Sequence, residues 1–222
     1  FFKQKTAYEI VDCDWSSDVC SSDLFIKQVL DQWGSIDILI NNAGISMRAL
    51  VSEVSVQTLQ SVMDINFWGS VYCTKAALSS IQANKGVIVG VSSIAGYRGL
   101  PGRSGYSASK FALNGWLEAL KTELYGSGTH VMWVCPGFTS SNIRNAALNK
   151  NAQAQGESPM DEGSMMSAQD CATHIINAIE KRKRILVLTF TGKRTVFMNK
   201  YFPAWADKLV HRFFFKEGVL VK

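Results

Sequence analysis

The chain has 222 residues, 47% hydrophobic, 11% aromatic and 18% charged, a composition that excludes disorder, collagen and coiled coil and fits one packed domain. No apolar run approaches the roughly 18 residues of a membrane-spanning helix, so neither a spanning nor a secreted protein is expected. Five cysteines form no C-x-x-C pair, and His130, His174 and His211 lack ligand-like spacing, so no metal site or disulfide framework is indicated and a cytoplasmic setting is expected. Charge is uneven: residues 25–180 hold 10 Lys+Arg against 11 Asp+Glu, whereas residues 181–222 hold 11 against 2.

Residues 1–24 show neither a 2.0 nor a 3.6 hydrophobic period. Residues 3–10 and 14–24 back-translate to the two constant parts of a common sequencing-library adapter, with an eight-base index between them keeping the frame. The segment is read as an adapter-derived, disordered artefact and set outside the fold.

From Phe25, FIKQVLDQWG reads as the end of an amphipathic helix closed by Gly34, and IDILI at 36–40 as a strand buried on both faces. A helix follows over about 55–83, ending near Asn84 and Gly86, then the strand VIVGVS at 87–92. A helix over about 106–125, stopped by GSG, leads to the strand HVMWVC at 130–135. Residues 138–166 form a polar, flexible connection, Ser167 caps a helix over 167–181, and ILVLTF at 185–190 is the last strand. The alternation predicts a doubly wound α/β domain over 25–190 with a parallel sheet. Residues 191–222 form a basic, aromatic helical tail in which Tyr201, Trp205, Leu209 and Phe213 recur every four residues, with Pro203 suited to a helix start. Such a helix can close a substrate site, pack on a second subunit or lie on an anionic membrane.

In such a sheet ligands bind beyond the carboxyl ends of the strands. Those positions hold Asn41-Asn42-Ala43-Gly44, Ser92-Ser93 and Pro136-Gly137, each an ordinary turn when taken singly. Tyr106 and Lys110, four residues apart on one helix face, become chemical near a ligand. An ammonium within ~4–6 Å favours phenolate and pulls a phenol down by roughly 1–3 pH units, towards general acid–base use. Ser93 is placed to stabilise charge on a substrate oxygen.

Together these residues resemble the short-chain dehydrogenase/reductase family in its single-domain form. The likeness is carried by Asn42-Ala43-Gly44, Asn66 in MDINFWG, Ser93 in VSSIAG, YSASK at 106–110 and Cys135-Pro136-Gly137. The resemblance implies a Rossmann-like fold and an NAD(P)-dependent carbonyl reductase or alcohol dehydrogenase, NADP being slightly preferred. It implies that Tyr106 is the general acid–base, Lys110 lowers its pKa and binds the nicotinamide ribose, Ser93 orients the substrate oxygen and Asn66 holds a relay water. Asn42, Ala43 and Gly44 would border the adenosine side, and Pro136, Gly137 and Ser141, where the family commonly has Thr, would lie along the nicotinamide. A homodimer or homotetramer acting on a small carbonyl or alcohol is expected, without nucleic acid, and with peripheral membrane contact through 196–215 as a further expectation.

The family's opening strand, T-G-x-x-x-G-x-G turn and helix do not occur in these 222 residues. GYRGLPG at 96–102 is no substitute, because it follows Ser93 rather than opening the first helix and so cannot place backbone N–H groups and a helix N-terminus at the pyrophosphate. The expectation is a fold lacking its first βαβαβ half, with residues 37–41 as an apolar sheet edge, and a chain that binds no nicotinamide. The rival expectation is a non-catalytic binding protein attached to a membrane or partner through the tail.

Overall fold

The computed structural model describes residues 19–221 apart from 157, 159, 161, 162 and 164, with residues 19–21 described by their backbone alone. The expectations for residues 1–18 lie outside the described residues.

Helix α1 (Val19–Trp33) starts six residues before the predicted Phe25, because Ser22 and Ile26, one turn apart, are both buried where α1 packs on α3. Strand β1 (Ile38–Asn41) follows. The predicted helix over 55–83 is one rod with an interruption: α2 (Val56–Met63), a π turn (Asp64–Trp68) and α3 (Gly69–Ala83). Ser55 caps it by accepting from the Thr58 N–H. Next come β2 (Val87–Val91), a 3-10 turn (Ile94–Gly96), α4 (Ser104–Glu123) and β3 (His130–Cys135). Ser167, as predicted, caps α5 (Ala168–Glu180), and β4 (Ile185–Val187) completes the sheet.

The sheet order is β1-β2-β3-β4 and every pair is parallel, with Ile38 opposite Val87, Ile88 opposite Val131 and Val134 opposite Leu186. Alternate residues along the strands serve opposite faces. Ile88, Val131 and Trp133 pack with Ile81, Leu113 and Leu117 under α1, α3 and α4. Val89, Met132 and Val134 pack with Cys171, Ala178 and Ile179 under α5. Helices therefore cover both faces, as the uniformly apolar strands foretold. Among the described residues β1 pairs only with β2, and its Ile38 and Ile40 are 45% and 43% exposed.

Strand β4 stops three residues before the predicted 190. Leu188 still donates to the Cys135 carbonyl, but Thr189 adopts φ 62° and its hydroxyl accepts from the Gly192 N–H, capping α6 (Phe190–Tyr201). The connection read as flexible is pinned in part: Leu148 donates to Ser46 and accepts from Arg48, and Thr139 bridges Met166.

The tail folds as α6, α7 (Pro203–Phe214) and a hairpin of β5 (Phe215–Lys216) and β6 (Val219–Leu220). The four-residue stripe is broken, because Phe202, forced out of the helical region by the following proline, sits at φ −137°, ψ 58° and leaves Tyr201 on α6. No helix among the described residues is long and apolar enough to cross a membrane.

Candidate active site

The carboxyl ends of β1, β2 and β3 open on a cavity of about 1420 Å³, closed on its far side by α5, α6 and α7. A third apolar cluster, built on Met47, Ala49, Val62, Ala95 and Tyr106, supports its floor. Of the residues singled out from the sequence, Asn42, Gly44, Ser93, Tyr106, Lys110, Pro136, Gly137 and Ser141 line this cavity; Ala43 and Asn66 do not.

Tyr106 and Lys110 lie in the first two turns of α4, and both are buried, 8% and 3% exposed. The Lys110 ammonium lies 5.8 Å from the Tyr106 ring centre and donates to the Val91 carbonyl at the end of β2, 2.9 Å away. Ser93 stands beside the Tyr106 hydroxyl and favours its ionised form. Ser93 is held by the 3-10 turn it caps, its Oγ accepting from the Ala95 N–H at 3.1 Å.

The electrostatics correct one expectation. Burial pushes the Tyr106 phenol above its ordinary range, outweighing the influence of Ser93 and the charges of Arg103 and Arg144 that favour phenolate. Lys110 is not among the charges that offset this burial: its ammonium is turned to Val91, and burial brings Lys110 down to about 8. The neighbouring Cys135 thiol, also desolvated, is pushed up to about 12.

Asn66 is fully buried in the π turn, where the widened helix lets its amide reach the loop after β1. Its Oδ1 accepts from the Ile45 N–H at 2.8 Å, and its Nδ2 donates to the Ile45 carbonyl and to Ser109 Oγ, both at 2.9 Å. Both amide hydrogens are thus committed to protein partners, and the side chain braces the loop after β1 against α4. Gly44 fits beside it by close approach: a Cβ there would lie 3.1 Å from Asn66 Oδ1 and 3.4 Å from Lys110 Nζ.

Gly137 lies directly against Thr189, and the exposed Ser141 sits on the cavity rim. Sequence reasoning missed Arg103 and Arg144. Arg144 is 6% exposed and donates to the Thr139 carbonyl at 2.6 Å. Leu209 and Phe213, from the stripe expected to close a substrate site, pack on a second subunit or lie on a membrane, line the cavity, and Phe213 stacks on Phe138 with ring centres 6.0 Å apart. The position of Arg103, three residues before Tyr106 and so one turn away, was the available signal.

The profile of the short chain dehydrogenase family matches residues 3–152, through the segment set aside above and up to the cavity loops. This chain belongs to that family. Among its relatives, dehydrogenase/reductase SDR family member 7B of Rattus norvegicus is 36% identical over 178 residues, 79% of this chain and 55% of the relative. Dehydrogenase/reductase SDR family member 7 of Homo sapiens is 32% identical over 193 residues, 86% of this chain and 57% of the relative. The chain spans about half the length of the curated relatives it matches. Among solved structures, a short-chain dehydrogenase from Streptomyces avermitilis superposes with a TM-score of 0.74 at 24% identity, covering 90% of this chain and 76% of that one. One from Burkholderia cenocepacia, in complex with NADP, gives 0.73 at 20%, covering 90% and 77%. These likenesses show the same Rossmann-like fold.

Proposed function

We propose that this short-chain dehydrogenase site performs nicotinamide-dependent oxidoreduction of a small carbonyl or alcohol, with Tyr106 as the proton donor and acceptor. The observation that carries the reading is the convergence of Ser93, Tyr106 and Lys110 on one cavity at the carboxyl end of a parallel sheet. Tyr106 gives its hydroxyl proton to the substrate oxygen during reduction and takes it back in oxidation. Ser93, beside that hydroxyl, holds the same oxygen and stabilises charge on it. Lys110 keeps a positive charge behind the phenol, and the aromatic wall of Phe138 and Phe213 excludes water.

The nicotinamide supplies or accepts the hydride. Tyr106, Lys110, Pro136, Gly137 and Ser141 suit its nicotinamide end, with Asn42, Ala43 and Gly44 towards the adenosine side, because all but Ala43 stand on the cavity wall. The residues for the pyrophosphate do not fit: no T-G-x-x-x-G-x-G turn occurs in this sequence, and the glycines of GYRGLPG follow Ser93 instead of joining a first strand to a first helix. The 222 residues alone therefore bind no nicotinamide, and activity needs a glycine-rich βαβ unit paired on the exposed edge of β1. NADPH is the first cofactor to assay.

The test compares the 222-residue chain with a fusion that adds such a unit ahead of α1. The fusion quenches NADPH fluorescence saturably and reduces carbonyls, the chain does neither, and Tyr106→Phe abolishes turnover but not quenching. A fusion that binds NADPH and reduces carbonyls without Tyr106 contradicts the reading.

Among the described residues Cys73, Cys135 and Cys171 are free thiols, which supports a reducing, cytoplasmic setting. Trp68 and Phe111, 43% and 47% exposed, support a homo-oligomer. The exposed Phe197, Tyr201, Phe202 and Trp205 beside Lys200, Lys208 and Arg212 favour peripheral contact with an anionic membrane, which also serves the rival reading of a binding protein.

A further inference from the structure

The cavity that holds Tyr106 carries an excess of positive charge. Arg103, Lys110, Arg144 and Arg194 line it against a single acid, Glu180, exposed at the last position of α5. Lys110 is engaged by Val91 and Arg144 by Thr139. Arg103 differs: no ion pair among the described residues includes its guanidinium, and its Nε is buried without a hydrogen-bond partner.

The surroundings make that charge costly. Burial pulls the Arg103 guanidinium below its ordinary range, and the like charges of Arg144 and Arg48 pull it further. Arg103 is also the N-cap residue of α4, a 20-residue helix whose first turn contains no acid to balance its positive end. A planar guanidinium on the cavity wall that donates to no group among the described residues, at a positive helix end, is matched by an acidic group that takes two parallel hydrogen bonds from its terminal nitrogens.

We propose that Arg103 is an anion-binding group for the substrate, and that the carbonyl compound reduced or formed at Tyr106 bears a carboxylate or phosphate headgroup. The inference rests on the oxidoreductase reading for the word substrate, but not for the binding itself. Arg103 and Tyr106 line the same cavity, and the Arg103 charge acts on the Tyr106 phenol, so a carbonyl a few bonds from the acid can meet both groups. The apolar remainder of the ligand lies against Leu100, Ile143, Phe138 and Phe213, which line the same cavity.

The test is calorimetric titration of the 222-residue chain with 4-oxodecanoate, its methyl ester and decyl phosphate, using wild type, Arg103→Gln and Arg103→Lys. Folding of each variant is checked by circular dichroism. At least one acid binds wild type about tenfold or more tighter than the ester, Arg103→Gln removes that preference without changing ester binding, and Arg103→Lys retains part of it. Tighter binding of oxodecanoate assigns the headgroup to carboxylate, and of decyl phosphate to phosphate. Equal binding of acids and ester, no binding of either acid, or an unchanged preference in Arg103→Gln overturns the proposal. Since no cofactor or turnover enters, failure here leaves the oxidoreductase reading standing, and failure of hydride transfer leaves the anion site standing.

Discussion

Asn66 and Ile45 are joined by two hydrogen bonds of opposite sense: the Ile45 N–H donates to Asn66 Oδ1, and Asn66 Nδ2 donates to the Ile45 carbonyl. The side-chain amide thus serves the loop after β1 as a neighbouring strand would. The third bond, to Ser109 Oγ, ties that loop to the helix carrying Tyr106 and Lys110. Asn66→Ala leaves the partly buried N–H and carbonyl of Ile45 without these partners and is expected to cost about 2–4 kcal/mol. Urea denaturation measures it; a loss below about 1 kcal/mol would mean that the loop does not depend on this brace.

Lys110 gives a prediction with a pH signature. Its pKa falls from 10.5 to about 8 on folding, so below about pH 8 it is charged in both states and the cost of burying the charge is constant. Between about pH 8 and 10.5 the unfolded chain holds more protons, and Lys110 makes stability rise with pH. Tyr106 and Cys135, both raised, act in the opposite sense: Cys135 lowers stability as pH rises from about 9 to about 12. The Lys110 contribution is therefore read as the difference from Lys110→Met. The variant loses the bond to Val91 but sheds the buried charge, so it is expected to be about 1–2 kcal/mol more stable at pH 7. That advantage should fade between pH 8 and 10.5; a pH-independent difference would contradict the burial cost.

Gly86 allows the end of α3 to enter β2. A Cβ there would stand 2.2 Å from the Asp37 carbonyl oxygen, a backbone atom that also accepts from the Val87 N–H. Gly86→Ala must displace β1 from β2 and is expected to cost about 2–4 kcal/mol in chemical denaturation. A neutral substitution would show that the β1–β2 junction yields without penalty.

The α/β alternation was legible because each strand is a short apolar run bounded by glycine, proline or serine, and each helix has a cap or a glycine stop. The strand-end motifs found the cavity for the same reason: chain order fixes which residues lie at the carboxyl ends. What was hidden depends on tertiary direction. Spacing put Tyr106 and Lys110 on one face, but it did not report that the ammonium turns to Val91, so the sign of the tyrosine shift was missed. The periodicity of Leu209 and Phe213 left three destinations open for their side of α7, and only the tertiary structure shows it lining the cavity. Arg103 went unnoticed because a lone arginine before a helix looks solvated until its surroundings are known.

The outward aromatics of α6 and α7 predict a salt-dependent surface affinity. The chain should pellet with vesicles containing phosphatidylserine at low salt and be released at high salt, and Trp205→Ala with Tyr201→Ala should weaken pelleting about tenfold or more. Indifference to lipid composition removes the membrane contact and leaves this surface to a protein partner.

The most direct measurement of the central claim is hydride transfer itself. The fusion carrying a glycine-rich βαβ unit is supplied with NADPH deuterated at the transferable C4 position and a panel of ketones, and the alcohol products are read by mass spectrometry. The account predicts deuterated alcohol from wild type and none from Tyr106→Phe, with NADPH binding equal in both. Binding of NADPH without label transfer, or transfer that persists at the wild-type rate in Tyr106→Phe, would contradict it.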